Sequence, residues 1–267
     1  MLVLIGPNFD GTPEAYARLA QATGLVSYDL KARLKPGAWG VVKAFGDAGA
    51  ARDLAGKLNA AGFEPVLVER GVAHDPERRI VPVTGVRLEE SELVLMLRDR
   101  EMPVPYQALC CIVEGEVQIG RAAQSYTSGP SSSSFRVPTP AELANFTQSA
   151  VQVPSEAFLA ADLHFATVLW IARIDVRHFD FGAERTGAIA QDLEILLQRI
   201  AERAGDIRVD RSVKTSSVAS FALQKAVPAG GSWPPVSNRV KEDQRFDPYS
   251  RIIGEAERQQ RLGTVGN

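Results

Sequence analysis

Cysteine, histidine and long apolar runs are all scarce in this chain. Its 267 residues include two cysteines and three histidines. Cys110 and Cys111 are adjacent, and neighbouring side chains of a strand point to opposite faces. A bond between them is not expected, and each reads as a small buried apolar group. A disulfide framework is excluded on that basis, and a reducing, cytoplasmic compartment is expected. No stretch nears the ~20 apolar residues of a membrane span, so none is expected. Residues 1–10 carry a short apolar run with no basic residues ahead of it, which reads as a first strand rather than a secretory leader. Surplus charge is missing too: 30 Lys and Arg against 32 Asp and Glu leave a net charge of -2. Binding a phosphate backbone needs a local basic excess, so nucleic acid is not an expected partner.

What is present is the composition of a globular protein, 45% hydrophobic and 23% charged. The length suits one large domain or two small ones. The clearest pattern is Val26, Tyr28, Leu30, Ala32 and Leu34 alternating with Ser27, Asp29, Lys31, Arg33 and Lys35. Apolar residues at period two predict a half-buried strand. Residues 2–5 read as an earlier strand ending at Gly6 and Pro7. Thr12 is placed to cap a helix with Pro13 at its first position, and Gly24 to stop it. A turn at Pro36 and Gly37 leads to a third strand over residues 39–45. Asp47 caps a second helix that turns Ala51, Leu54, Ala55, Leu58 and Ala61 to the sheet, and residues 65–68 form a fourth strand.

Residues 1–70 thus follow a strand-helix-strand-strand-helix-strand order, the split βαβ or ferredoxin-like arrangement. Through residues 41–45 and 51–68 the module resembles the small ACT-type and SPOR-type domains. The resemblance implies two helices on one face of a four-stranded antiparallel sheet. It transfers no binding residues, because the ligand motifs of those families are absent here.

Residues 71–79 are polar, contain Asp75 and Pro76, and read as a linker. The region 80–210 reads as a second α+β domain. It has short strands at 81–88, 93–98, 102–106 and 109–114, a mobile insertion at 121–154, and a hairpin over 157–165 and 168–179. A long amphipathic helix follows, carrying Ile189, Leu193, Leu196, Leu197, Ile200 and Ala204. This order resembles a PH-like barrel closed by its helix, and an antiparallel sheet with one covering helix explains it equally well. Residues 211–267 read as a flexible tail, in which Trp233, beside Pro234 and Pro235, is the candidate binding anchor.

Candidate chemistry is thin. Gly6 to Thr12 has the glycine spacing of a phosphate-binding loop, but Thr12 stands where that loop needs lysine, so a capped strand-to-helix turn is the expected structure. Ser131 to Ser134 lack the glycines of a nucleophile elbow. Asp162, His164, Asp175, His178 and Asp180 form the densest polar cluster. Hairpin register separates His164 from His178, and the alternation of Arg173, Asp175 and Arg177 with Ala172, Ile174 and Val176 reads as a solvated face over a core face. No catalytic residue, metal or cofactor is therefore expected. The reading is a non-catalytic cytoplasmic binding or adaptor protein of bacterial type, with a protein partner and self-association as a second mode. Two alternatives stand beside it: a small-molecule sensor dimerising through the first module, and a hydrolase or metal enzyme built on residues 162–180.

Overall fold

The order of structure in the first seventy residues follows local signals closely. Leu2–Ile5 forms β1, and Thr12 caps α1 (Pro13–Thr23) by accepting from the Ala15 N–H at 3.2 Å. Gly24 ends that helix in the left-handed conformation, φ 69°. Gly40–Ala44 is β2, Asp47 caps α3 (Ala48–Ala60), and Pro65–Val68 is β3. The computed structural model describes residues 1–119, 156–182, 185–205, 207–223 and 245–265. The expected insertion at 121–154 and Trp233 lie outside the described residues.

The alternating segment is the main departure. Ser27–Arg33 forms a helix, α2, and Val26 and Tyr28 are 63% and 83% exposed. Only Leu30 and Leu34 are buried, and they are one helical turn apart. Asp29 in the first turn and Lys31 and Arg33 in the last suit the helix dipole. The first sheet consequently has three strands in the order β2-β1-β3, all antiparallel, rather than four. The edge of β2 left bare is satisfied by side chains: Arg33 donates to the Val42 carbonyl at 3.0 Å, and the Val41 N–H donates to Ser217 Oγ at 3.0 Å.

The second region also departs from expectation. β4 (Ile80–Val83), β8 (Leu109–Ile119), β9 (Glu156–Phe165), β10 (Ile171–Asp175) and β11 (Arg208–Asp210) make a five-stranded sheet in the order β11-β8-β9-β10-β4. The β9–β10 hairpin forms as an antiparallel pair. The pairs β11–β8 and β10–β4 are parallel, however, so the sheet is mixed rather than antiparallel. β5 (Gly85–Leu88), β6 (Glu92–Met96) and β7 (Glu101–Pro105) form a separate three-stranded antiparallel sheet. The long helix is α4 (Ile189–Arg203), and its Leu193, Leu197 and Ile200 share a core with Leu93, Leu95, Ile112, Leu163 and Ile174. The whole is an α+β fold with six α-helices among the described residues.

The core crosses the expected boundary at 71–79. That segment contains a 3-10 turn, Arg70–His74, and Arg78 is buried against Glu255 at 2.6 Å. Beyond α5 (Val218–Leu223), part of the expected tail is a helix, α6 (Phe246–Val265). Its Tyr249, Ile252, Ile253 and Ala256 are fully buried with Leu2, Leu4, Trp39 and Val41 of the first region and Cys111, Val113 and Ala160 of the second. Apolar surface on both sheets is thus removed from water by one helix.

Leu197 is fully buried on α4, whereas the adjacent Leu196 is only partly covered. Leu197→Ala is expected to cost about 2–5 kcal/mol and Leu196→Ala less than half of that. Chemical denaturation of the two variants checks this, and equal midpoints would contradict the placement of α4.

Candidate functional site

Strand alternation divides the five-stranded sheet into two faces. Ile112, Leu163, Ala172 and Ile174 face the core under α4, while Cys111, Ala160, Asp162, His164 and Arg173 face α6. The register sets Asp162 opposite Arg173. Arg173 grips both carboxylate oxygens of Asp162, Nε to Oδ1 at 2.7 Å and Nη2 to Oδ2 at 2.8 Å. The same Nη2 reaches Asp247 on α6 at 2.7 Å. Ser250, one turn further along α6, donates to Asp162 Oδ2 at 2.6 Å and lies 2.9 Å from His164 Nε2. A serine has one proton to give and an ionised carboxylate can only accept. His164 must therefore carry its proton on Nε2 and donate to Ser250.

The expected solvated face is in fact closed. Asp162 and Ser250 are 0% exposed and His164 is 4% exposed. The alternation was correctly an amphipathic one, but α6 covers its polar side. Burial pulls the His164 pKa down to about 4 against the opposing pull of the Asp162 charge, so the ring is neutral. Burial pushes the Asp162 carboxyl up, yet the Arg173 guanidinium and the Ser250 hydroxyl outweigh it and hold it below the usual range. Asp175 pairs instead with Arg177 at 2.7 Å, and His178 and Asp180 are exposed away from this junction. The structure brings together Asp162 and His164 from the predicted cluster and separates them from the other three.

The chemistry of this set follows from its order. A hydrolytic triad places imidazole between serine and carboxylate, so that the base takes the hydroxyl proton. Here serine stands in the middle and its proton goes to the carboxylate. The arrangement is a hydrogen-bonded seat for α6. Further ties run along the helix: Tyr249 donates to Asp210 at 2.6 Å, Trp39 Nε1 donates to Glu257 at 2.8 Å, and Arg78 pairs with Glu255. Ser250 and these partners were missed in the sequence. The legible signal was Phe246, Tyr249, Ile253 and Ala256 at spacings of three and four, obscured by the charged residues between them.

Both cysteines are free and buried. A bulge between Leu109 and Cys111 turns Cys110 into the same cluster as Cys111, contrary to the expectation of opposite faces, and its thiol donates to the His164 carbonyl at 3.2 Å. Burial pushes the Cys111 thiol well up, so it is not a thiolate nucleophile. Among the described residues, no three His, Cys, Asp or Glu side chains gather as metal ligands, and no helix is long and apolar enough to cross a membrane.

A different site opens on the far side of the second region. Between β5 and α4 lies a cleft of about 780 Å³. Val86 and Leu88 line one wall, Ile195 and Leu196 the other, and Phe179 and Phe181 also border it. The two phenylalanines pack edge to face, with ring centroids 4.8 Å apart. Asp192 lines the cleft near the start of α4, and Arg199 and Arg203 line it near the end. Asp192 is 6% exposed; its Oδ1 accepts from Thr186, while Oδ2 has no hydrogen-bond partner among the described residues. Comparison with family models, with curated proteins and with solved structures found no match.

Two outcomes test the junction. The folded pKa of His164 lies below its ordinary 6.5, so the unfolded chain binds the extra proton between pH 6.5 and about 4. Stability is therefore expected to fall as pH drops through that window, by at most roughly 3 kcal/mol, and His164→Gln should flatten the dependence. Urea denaturation at several pH values measures it. Gly254 lies on the same helix face, and a Cβ there would collide with the His164 ring. Gly254→Ala should destabilise by about 1–3 kcal/mol, with most of that loss absent when His164 is also alanine. Additive losses in the double-mutant cycle would show that the ring does not set the helix position.

Proposed function

We propose that this chain is a non-catalytic binding protein, an adaptor whose contact surface is the cleft between β5 and α4. The observation that carries the reading is the separation of the two polar sites. Asp162, His164 and Ser250, which together have the residue types of a hydrolase, are closed under α6 and occupied with one another. The cleft instead offers apolar side chains with charges at its two ends, which suits recognition by shape and hydrophobic contact. A protein is the partner that this combination favours. Trp233 keeps the role of a second anchor in the proposal, on the strength of its Pro234 and Pro235 neighbours.

The sensor alternative requires an apolar face of the first sheet to pair with a second copy. Among the described residues both faces of that sheet are covered, one by α1, α2 and α3 and the other by α5 and α6. The geometry thus favours the adaptor reading.

Anilinonaphthalene sulfonate, a probe that fluoresces in apolar clefts, tests the surface. The full-length protein should enhance its emission, and Leu196→Lys should cut that enhancement to roughly half or less at a temperature where its thermal unfolding transition has not begun. Equal enhancement by both proteins would remove the cleft as the contact surface.

A further inference from the structure

The hydrogen bonding of β5 says what kind of molecule fits this cleft. In an antiparallel pair, residues alternate between those that exchange main-chain bonds with the neighbour and those that do not. The Glu89 N–H donates to the Glu92 carbonyl at 3.1 Å, and the β5–β6 register pairs Arg87 with Val94 and Gly85 with Met96. Gly85 and Arg87 therefore spend their main-chain groups on β6, as does the Glu89 N–H, whereas the Glu89 carbonyl accepts from Arg203 and Tyr106. On the β6–β7 side, the Leu97 N–H donates to Arg100 at 2.9 Å, which fixes the same alternation independently. The N–H and C=O groups of Val86 and Leu88 must then point away from β6. β5 is an edge strand of its sheet, and no strand pairs with it on that side among the described residues. The residues bearing these outward groups line the cleft.

The two ends of the cleft differ in charge. The Asp180 N–H donates to the Thr84 carbonyl at 2.7 Å, which sets Asp180 at the Gly85 end. Arg203 donates to the Leu88 and Glu89 carbonyls at 3.2 and 2.6 Å, which sets it at the Leu88 end. Asp192 is eleven residues before Arg203 on the same helix, about 16 Å back along its axis. One end thus holds Asp180 and Asp192, with the buried Asp192 Oδ2 unpartnered among the described residues, and the other holds Arg199 and Arg203. Glu202 beside the arginines accepts from Gln198 at 2.9 Å.

We propose that the cleft takes an extended peptide, which adds as a strand to the outer edge of β5. The peptide lays apolar side chains against Leu196 and Phe181 and sets a lysine or arginine at the Asp180 and Asp192 end. The Leu88 carbonyl already accepts from Arg203, so the Val86 N–H and C=O and the Leu88 N–H are the outward groups offered to a strand, and an extended peptide supplies their partners. Alternate side chains of such a strand fall on the side of α4. A cation at the Asp192 end gives its bare carboxylate oxygen a donor, and an acidic residue at the other end meets Arg199 and Arg203. This inference rests on the reading of the cleft as the contact surface.

Selection of phage-displayed random octapeptides on the full-length protein tests it, followed by fluorescence anisotropy with the enriched peptides. The expected peptides alternate apolar residues and carry a basic residue at one end. Val86→Pro removes only the outward donor, at a position where an edge strand tolerates proline, and should weaken binding by roughly ten-fold or more. In the unaltered protein the Val86 and Leu88 amides should exchange quickly with deuterium when free and slowly when saturated with peptide. That measurement decides the matter if Val86→Pro lowers the thermal midpoint. Peptides that lose affinity with Leu196→Lys but leave both amides unprotected would overturn strand addition while the cleft reading stands. Failure to enrich any peptide would overturn strand addition as well. Enriched peptides indifferent to both variants would overturn the two readings together.

Discussion

The seating of α6 on a polar strip is the constraint on which the rest of the structure depends. The sheet presents Asp162, Arg173 and His164 to that helix, and such groups are costly to bury unless every charge and donor is matched. Arg173 neutralises Asp162, Asp247 shares the guanidinium, and Ser250 relays a hydrogen bond between Asp162 and His164. Gly254 then lets the helix backbone approach the imidazole. Removing one partner leaves another buried and unpaired, so the set holds the helix in one position along the sheet. An apolar strip of the same area would favour burial but would not select that position so sharply.

Because α6 touches both regions, its placement also closes the first one. Trp39, Leu2 and Leu4 have their apolar cover from Ile252, Ile253 and neighbouring residues of the same core. The indole N–H of Trp39 ends on Glu257. The replacement of an outer strand by α2 is tolerated because Arg33 and Ser217 meet the main-chain groups of β2 that such a strand would have paired. In contrast, the outer edge of β5 keeps its groups toward a cleft. The contrast between a covered edge and an open one is what separates scaffold from contact surface in this molecule.

Much of the local structure was legible. Thr12, Gly24 and Asp47 mark helix ends through side-chain and backbone geometry that involves only a few neighbouring residues. The face alternation of β10 was legible for the same reason. The segment around Tyr28 was misread because alternation over nine residues fits a strand, while Leu30 and Leu34 alone fit a helix, and nothing local decides between them. The helix prevails where Leu30 and Leu34 find the core of α1 and α3. Of the candidate site, Asp162 and His164 were visible as a cluster, but Ser250 lies more than eighty residues away in the chain. The open edge of β5 was invisible, since edge status depends on which strands fail to pair with it.

The sequence by itself determined the α+β class, the helix caps, the β9–β10 hairpin and the amphipathic helix α4, because each arises from sterics and hydrophobic periodicity within one segment. Only the tertiary structure decided that the polar face of the second sheet is buried, that parallel pairs enter that sheet, and that residues 246–265 form a central helix. Those outcomes depend on which surface covers which, and that is set by long-range burial and hydrogen-bond matching among residues far apart in the chain.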